Sequence, residues 1–206
     1  WTPASLGQLV FDLAYLCDHV TVQLPAGLEA HLDLPLDTEH AVAAGVTAAL
    51  RGPRALSVDA WRAIEAQLAD ATLDRLRAVK GVTARYHLTG KPPPQAHSAY
   101  VDEAATPCAD FANDWAPHLD GARPWRRAVA EAAAKTYHAL VLDVLEHASK
   151  FETTMAKRNK HANVRDDSLK IARQLQLDIA KFALDNDLDA GAHFPDALAT
   201  IDVTLL

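Results

Sequence analysis

The run Asp185-Asn186-Asp187-Leu188-Asp189, with Asp196 at its twelfth position, is the stretch of this sequence nearest to a binding motif. Alternating carboxylates and amides are what the first half of a calcium loop supplies, because the hard cation needs a shell of oxygens. Two letters depart from that pattern. The sharp-turn position, where glycine is needed, is Ala190, and the closing glutamate is replaced by Asp196. A solvated helix end and loop explains Asp185–Asp196 better, with a calcium-dependent regulator or small all-α enzyme as the alternative. The ten histidines invite a zinc reading. No two of them share the one-face spacing of a zinc helix, and no cysteine pair accompanies them. His138 and His147 read as surface or flank residues of a long helix. Asp166-Asp167 is reminiscent of a metal-binding aspartate pair, but it stands where helix caps belong, facing the positive end of the dipole. There is no Gly-x-Ser-x-Gly turn and no phosphate-cradling glycine loop. The expectation is therefore no catalytic, cofactor-binding or metal-binding residue, and no enzyme.

Lys150, Lys157, Arg158, Lys160 and His161 form the remaining cluster. Cations at a helix C-terminus complement the dipole, and that explains most of them. Contact with an anionic membrane or an acidic partner segment is the competing reading. Charge bounds the partners further. With 27 acidic against 20 basic side chains the net charge is −7, which disfavours nucleic acid. No apolar run approaches the ~18 residues of a membrane span. The chain starts at Trp1 with no signal peptide, so it reads as a piece of a longer protein. Cys17 and Cys108 are too few for a disulfide framework and read as small buried thiols.

The elements that would position these residues are helices. Thr2-Pro3 reads as a helix start, followed by the stripe Leu6, Leu9, Val10, Leu13, Leu16, Cys17 and Val20. Residues 20–34 alternate around Pro25-Ala26-Gly27. They fit a hairpin or a broken pair of helices, with helix favoured. Asp37 or Thr38 would cap a short helix stopping at Gly52-Pro53. Ser57 would cap a long one, striped by Val58, Trp61, Ile64, Leu68, Thr72, Leu76, Val79 and Tyr86 and ended by Gly90 and the proline triplet. A helix near Ser98–Trp115 is interrupted by Pro107. Tyr100 and Trp115, with the segment PPPQAHSAYVDEA, read as a hinge. The last long pair is Trp125–Arg158 and Asp166–Asp187, joined by the polar link Asn159–Arg165. The first carries Val129, Ala133, Tyr137, Leu140, Val144, Ala148, Phe151 and Met155 on one stripe, and the second carries Leu169, Ala172, Leu175, Ile179 and Phe182. A short docking helix spans Pro195–Leu206. The fold class is all-α, an elongated multi-helix bundle of the helical-rod type. Residues 1–206 form one domain, with 1–90 and 97–206 as the alternative subdivision at the proline segment.

Several of these strings resemble a known family. Val79, Arg85 and Tyr86, then Lys91-Pro92, then Ser98–Ala104 (SAYVDEA), are similar to the subunit 2 family of the conserved oligomeric Golgi complex. So are Trp125 with Lys135–Lys160, and the closing Asp166–Ala183 (DDSLKIARQLQLDIAKFA), an aspartate-rich cap leading into a Lys-Ile-x-x-Gln-Leu helix. The resemblance is most specific over residues 76–188 and fades toward Ala4. It implies the helical C-terminal domain of a vesicle-tethering subunit, peripheral on the cytosolic face of the Golgi membrane. The activity implied is scaffolding in intra-Golgi retrograde transport. Subunits 1, 3 and 4 are the implied partners, with SNAREs, Rab GTPases or coiled-coil tethers as further ones. The family carries no catalytic or cofactor residues to transfer.

Overall fold

The computed structural model describes residues 2–31, 44–115, 124–157 and 164–206, and among these there is no strand. The helices are α1 (Pro3–His31), α2 (Arg51–Leu76), a 3₁₀ turn (Arg77–Lys80), α3 (Gly81–Tyr86), α4 (Ala99–Ala104), α5 (Thr106–Asp114), α6 (Trp125–Lys157), α7 (Val164–Asp185), α8 (Ala190–His193) and α9 (Pro195–Leu205). Residues 44–49 are helical as well. The chain is thus all-α. It divides into two compact units, Trp1–Gln67 with Phe111–Arg123, and Leu68–Asp110 with Pro124–Leu206. The proline segment at 92–94 lies inside the second unit.

In the first unit, α1 opens on a reciprocal cap. The Ser5 N–H donates to Thr2 Oγ1 (3.2 Å), and the Thr2 N–H donates to Ser5 Oγ (2.8 Å). Two orphan donors of the helix start are thereby satisfied. Of the expected stripe Leu6, Val10 and Cys17 are buried, Leu9, Leu13 and Val20 are half-buried, and Leu16 is exposed. Helix continues through Pro25 to His31, so residues 20–31 are not a hairpin. Residues 32–34 and the caps at Asp37 and Thr38 lie outside the described residues. The α2 start differs from expectation. A turn at Leu50 separates two helical stretches, and α2 begins at Arg51, not after Ser57. Gly52 and Pro53 therefore open a helix; they do not close one. Proline is tolerated there because first-turn N–H groups have no intrahelical partner.

The core of the second unit is built by α6, α7 and α9, with the 3₁₀ turn and α3 packed against them. Helix α6 has 33 residues, a length of about 50 Å at ~1.5 Å per residue. Val129, Ala133, Tyr137, Val144 and Ala148 of its expected stripe are buried, widened by Ala130, Ala134, Val141 and Leu145. Tyr137, Phe182 and Phe194 meet edge to face at 5.5, 5.7 and 6.3 Å between centroids. That geometry places positive ring edges on negative ring faces. Leu68, Thr72, Leu76, Val79 and Tyr86 remain buried although the helix tightens to 3₁₀ between Leu76 and Gly81. The helix expected near Ser98–Trp115 is split at Ala105, and Pro107 falls in the first turn of α5. Helix α7 starts at Val164, two residues earlier than expected, and residues 158–163 lie outside the described residues.

Candidate functional site

The side chains that the fold concentrates are a polar row on α7 buried against the second unit. Asp167, Ser168, Lys170, Gln174 and Asp178 are all buried, Asp178 completely. Both oxygens of Asp178 are saturated. Oδ1 accepts from the Ser98 backbone N–H (2.6 Å) and from Gln174 Nε2 (2.9 Å). Oδ2 accepts from Ser98 Oγ (3.0 Å) and from the Tyr100 hydroxyl (2.7 Å). Since Tyr100 gives its proton to Asp178, Tyr137 is the donor in the 3.0 Å contact between the two phenols. Gln174 completes the row, donating to Ala96 O (3.0 Å) and accepting from Tyr86 OH (2.8 Å). Two turns back from Gln174, Asp167 Oδ2 accepts from the Leu88 N–H (2.8 Å). Lys170 Nζ lies 2.5 Å from Asp166 and 3.7 Å from Asp167.

This row does mechanical work. It pins residues 87–98, which carry the proline triplet and no regular structure, against a rigid helix. Four donors on one carboxylate satisfy the demand that a buried polar group be paired. Burial first, then the neighbouring Tyr137 and Asp178, push the Tyr100 hydroxyl far above the ordinary tyrosine range. Burial and Asp178 do the same to Tyr137. Both phenols are thus fixed as neutral hydrogen-bonding groups. Tyr100 is consequently a core residue and not part of a hinge. Trp115 belongs to the first unit, where its ring covers Gly7 so closely that a Cβ there would meet it at 3.0 Å.

The acidic run ends α7 in a Schellman arrangement. The Leu188 N–H donates to Ala183 O (2.9 Å), and Asp187 takes a left-handed φ of 52°. Asp185 pairs with Lys181 at 2.7 Å. Asp189 Oδ1 caps α8 by accepting from Gly191 N (2.8 Å) and Ala192 N (3.3 Å). Among the described residues, no group of His, Cys, Asp and Glu is arranged to hold a metal ion. Asp166 and Asp167 occupy the first turn of α7 instead of capping from outside it, and Asp167 spends its carboxylate on a distant backbone N–H. His138 is half-buried, its ring edge-on to Phe194, while exposed His147 lies 3.3 Å from Asp143. Of the basic cluster, Lys150 pairs with Glu146 at 2.6 Å and Lys157 is exposed. Arg158, Lys160 and His161 lie outside the described residues.

One surface feature was not foreseen. A groove of about 600 Å³ runs between the Arg77–Lys80 turn with α3 on one side and α6 on the other. Its floor holds Val144 and Phe151, and the His87 ring stacks on Phe151 at 4.3 Å and 17°. Sequence offered a partial signal for it: Phe151 continues the α6 stripe past the last fully covered turn. The polar row of α7 gave none, because Asp167, Lys170, Gln174 and Asp178 recur at the spacing of an ordinary solvated face.

A family model described as "COG complex component, COG2, C-terminal" matches residues 2–179. No curated protein and no solved structure matches the chain.

Proposed function

The chain belongs to the COG2 C-terminal family of COG complex components, and on that premise we propose that it scaffolds protein–protein contacts during vesicle tethering in intra-Golgi retrograde transport. Membership makes it a complex component of Golgi trafficking and implies association with other subunits of that complex. The finer reading takes subunits 1, 3 and 4 as direct partners. SNAREs, Rab GTPases and coiled-coil tethers are secondary ones. Residues 1–206 act in it as one C-terminal helical domain, peripheral on the cytosolic face of the Golgi membrane.

The family match over residues 2–179 carries this reading. Local chemistry is in keeping with it. The Asp178 carboxylate spends its hydrogen bonds on holding the chain together, and Asp178 and Tyr100 do not line the groove. Among the described residues, no helix is long and apolar enough to cross a membrane. The test is co-purification of the folded chain with subunits 1, 3 and 4. Retention through gel filtration is expected, and failure to retain any of them, with a cooperative melt proving the fold, contradicts the proposal.

A further inference from the structure

We propose that the groove beside α6 seats an apolar side chain, flanked by carboxylates, from an amphipathic helix of a partner subunit. The inference rests on the scaffolding reading and gives it a docking point. Three observations carry it. The floor is apolar and aromatic, with Val144 buried and Phe151 half-covered beneath the stacked His87 ring. A cleft of about 600 Å³ is large enough to take bulky side chains. Next, an ammonium group stands on each wall. Lys80, on the 3₁₀ turn, makes no ion pair with a described residue. Lys150, on α6, has Glu146 as its ion-pair partner among the described residues, and the two side chains are 68% and 61% exposed. So exposed a pair is weak and exchanges readily for a better carboxylate. The acid on the wall, Asp143, is already beside His147 at 3.3 Å.

The third observation separates a protein segment from a small polar ligand. The wall hydroxyls are turned back on the backbone one turn before them, Thr83 Oγ1 donating to Lys80 O (3.2 Å) and Thr154 Oγ1 to Lys150 O (2.8 Å). What the groove offers is apolar area plus two ammonium groups on long, adaptable stems, with the Asp143 carboxylate beside His147. A helix that places Asp or Glu within a turn of an aliphatic or aromatic residue complements both features. The local cation pair also stands out in a chain of net charge −7.

The experiment uses the chain inside the purified complex, with benzoylphenylalanine at position 83 or 154 as photocrosslinker. The expected product joins the groove to a helical segment of another subunit that carries Asp or Glu within one turn of a large apolar residue. The double variant K80E/K150E should cut the yield at least tenfold without lowering the melting temperature. Lysine at the mapped carboxylates should then restore it. A crosslink confined to a second copy of this chain or to lipid overturns the proposal, as does one indifferent to charge reversal. If the complex forms but the groove yields no crosslink, the groove assignment alone fails. If no complex forms, the scaffolding reading fails with it.

Discussion

Asp178 is the residue on which the second unit depends most sharply. Asp178→Ala would leave the Ser98 amide and hydroxyl, one Gln174 N–H and the Tyr100 hydroxyl without their acceptor in a buried site. Each buried donor left unpaired costs about 1–3 kcal/mol, so urea unfolding should show a loss of at least ~3 kcal/mol. Tyr137→Phe removes one outer hydrogen bond and should cost ~1 kcal/mol, less than Tyr100→Phe, which breaks the chain at its centre. Equal losses would mean that the row is not organised around Asp178. The pH dependence has a definite sign. Tyr100 and Tyr137 are held protonated in the fold, while in the unfolded chain they ionise near the ordinary value of about 10. The unfolded state therefore binds fewer protons above that pH, and stability falls as pH rises past ~10. Below it, the contribution is fully present. Absorbance at 295 nm should show these two phenols ionising together with unfolding, and early titration of either would contradict their burial.

Elements were legible where a buried stripe coincided with a propensity. The α6 positions Val129, Ala133, Tyr137, Val144 and Ala148 and the α7 positions Ala172, Leu175, Ile179 and Phe182 are buried as their spacing implies, with Leu140 half-buried. Boundaries were less so, because Gly52-Pro53 can either stop a helix or open one, and only the flanking turns decide. The left-handed φ of Asp187 was also invisible, since tertiary packing of Leu188 fixes where the chain turns. That geometry makes a prediction at this scale. Asp187→Gly removes the Cβ from a left-handed residue and should raise stability by up to ~1 kcal/mol; a loss would mean that its side chain matters more than its backbone. Gly7→Ala acts in the opposite sense. Its Cβ would press on the Trp115 ring at 3.0–3.3 Å, and overpacking of this kind costs about 1–3 kcal/mol. A lowered melting temperature with quenched or shifted Trp fluorescence is the expected readout.

For the whole molecule, the resemblance carried by Asp166–Ala183 proved sound, and the family match reaches from residue 2 to 179. The strings that carried it are partly the ones that fold the protein: Gln174 of the Lys-Ile-x-x-Gln-Leu helix and Ser98 and Tyr100 of SAYVDEA meet at Asp178. Sequence could not reveal that meeting, because Ser98 and Tyr100 lie 80 and 78 positions from Asp178 and nothing local marks them. A calcium-dependent role would leave a thermodynamic trace, since a ligand bound only by the folded state raises its melting temperature. Asp185 and Asp189 are already spent on Lys181 and on capping α8, so millimolar calcium should leave the melting temperature unchanged, and a rise of several degrees would restore the calcium reading. The most direct measurement is reconstitution of the folded chain with purified subunits 1, 3 and 4 of the complex. Stable co-elution in gel filtration is the predicted result; a folded chain that elutes alone from all three would contradict the scaffolding account.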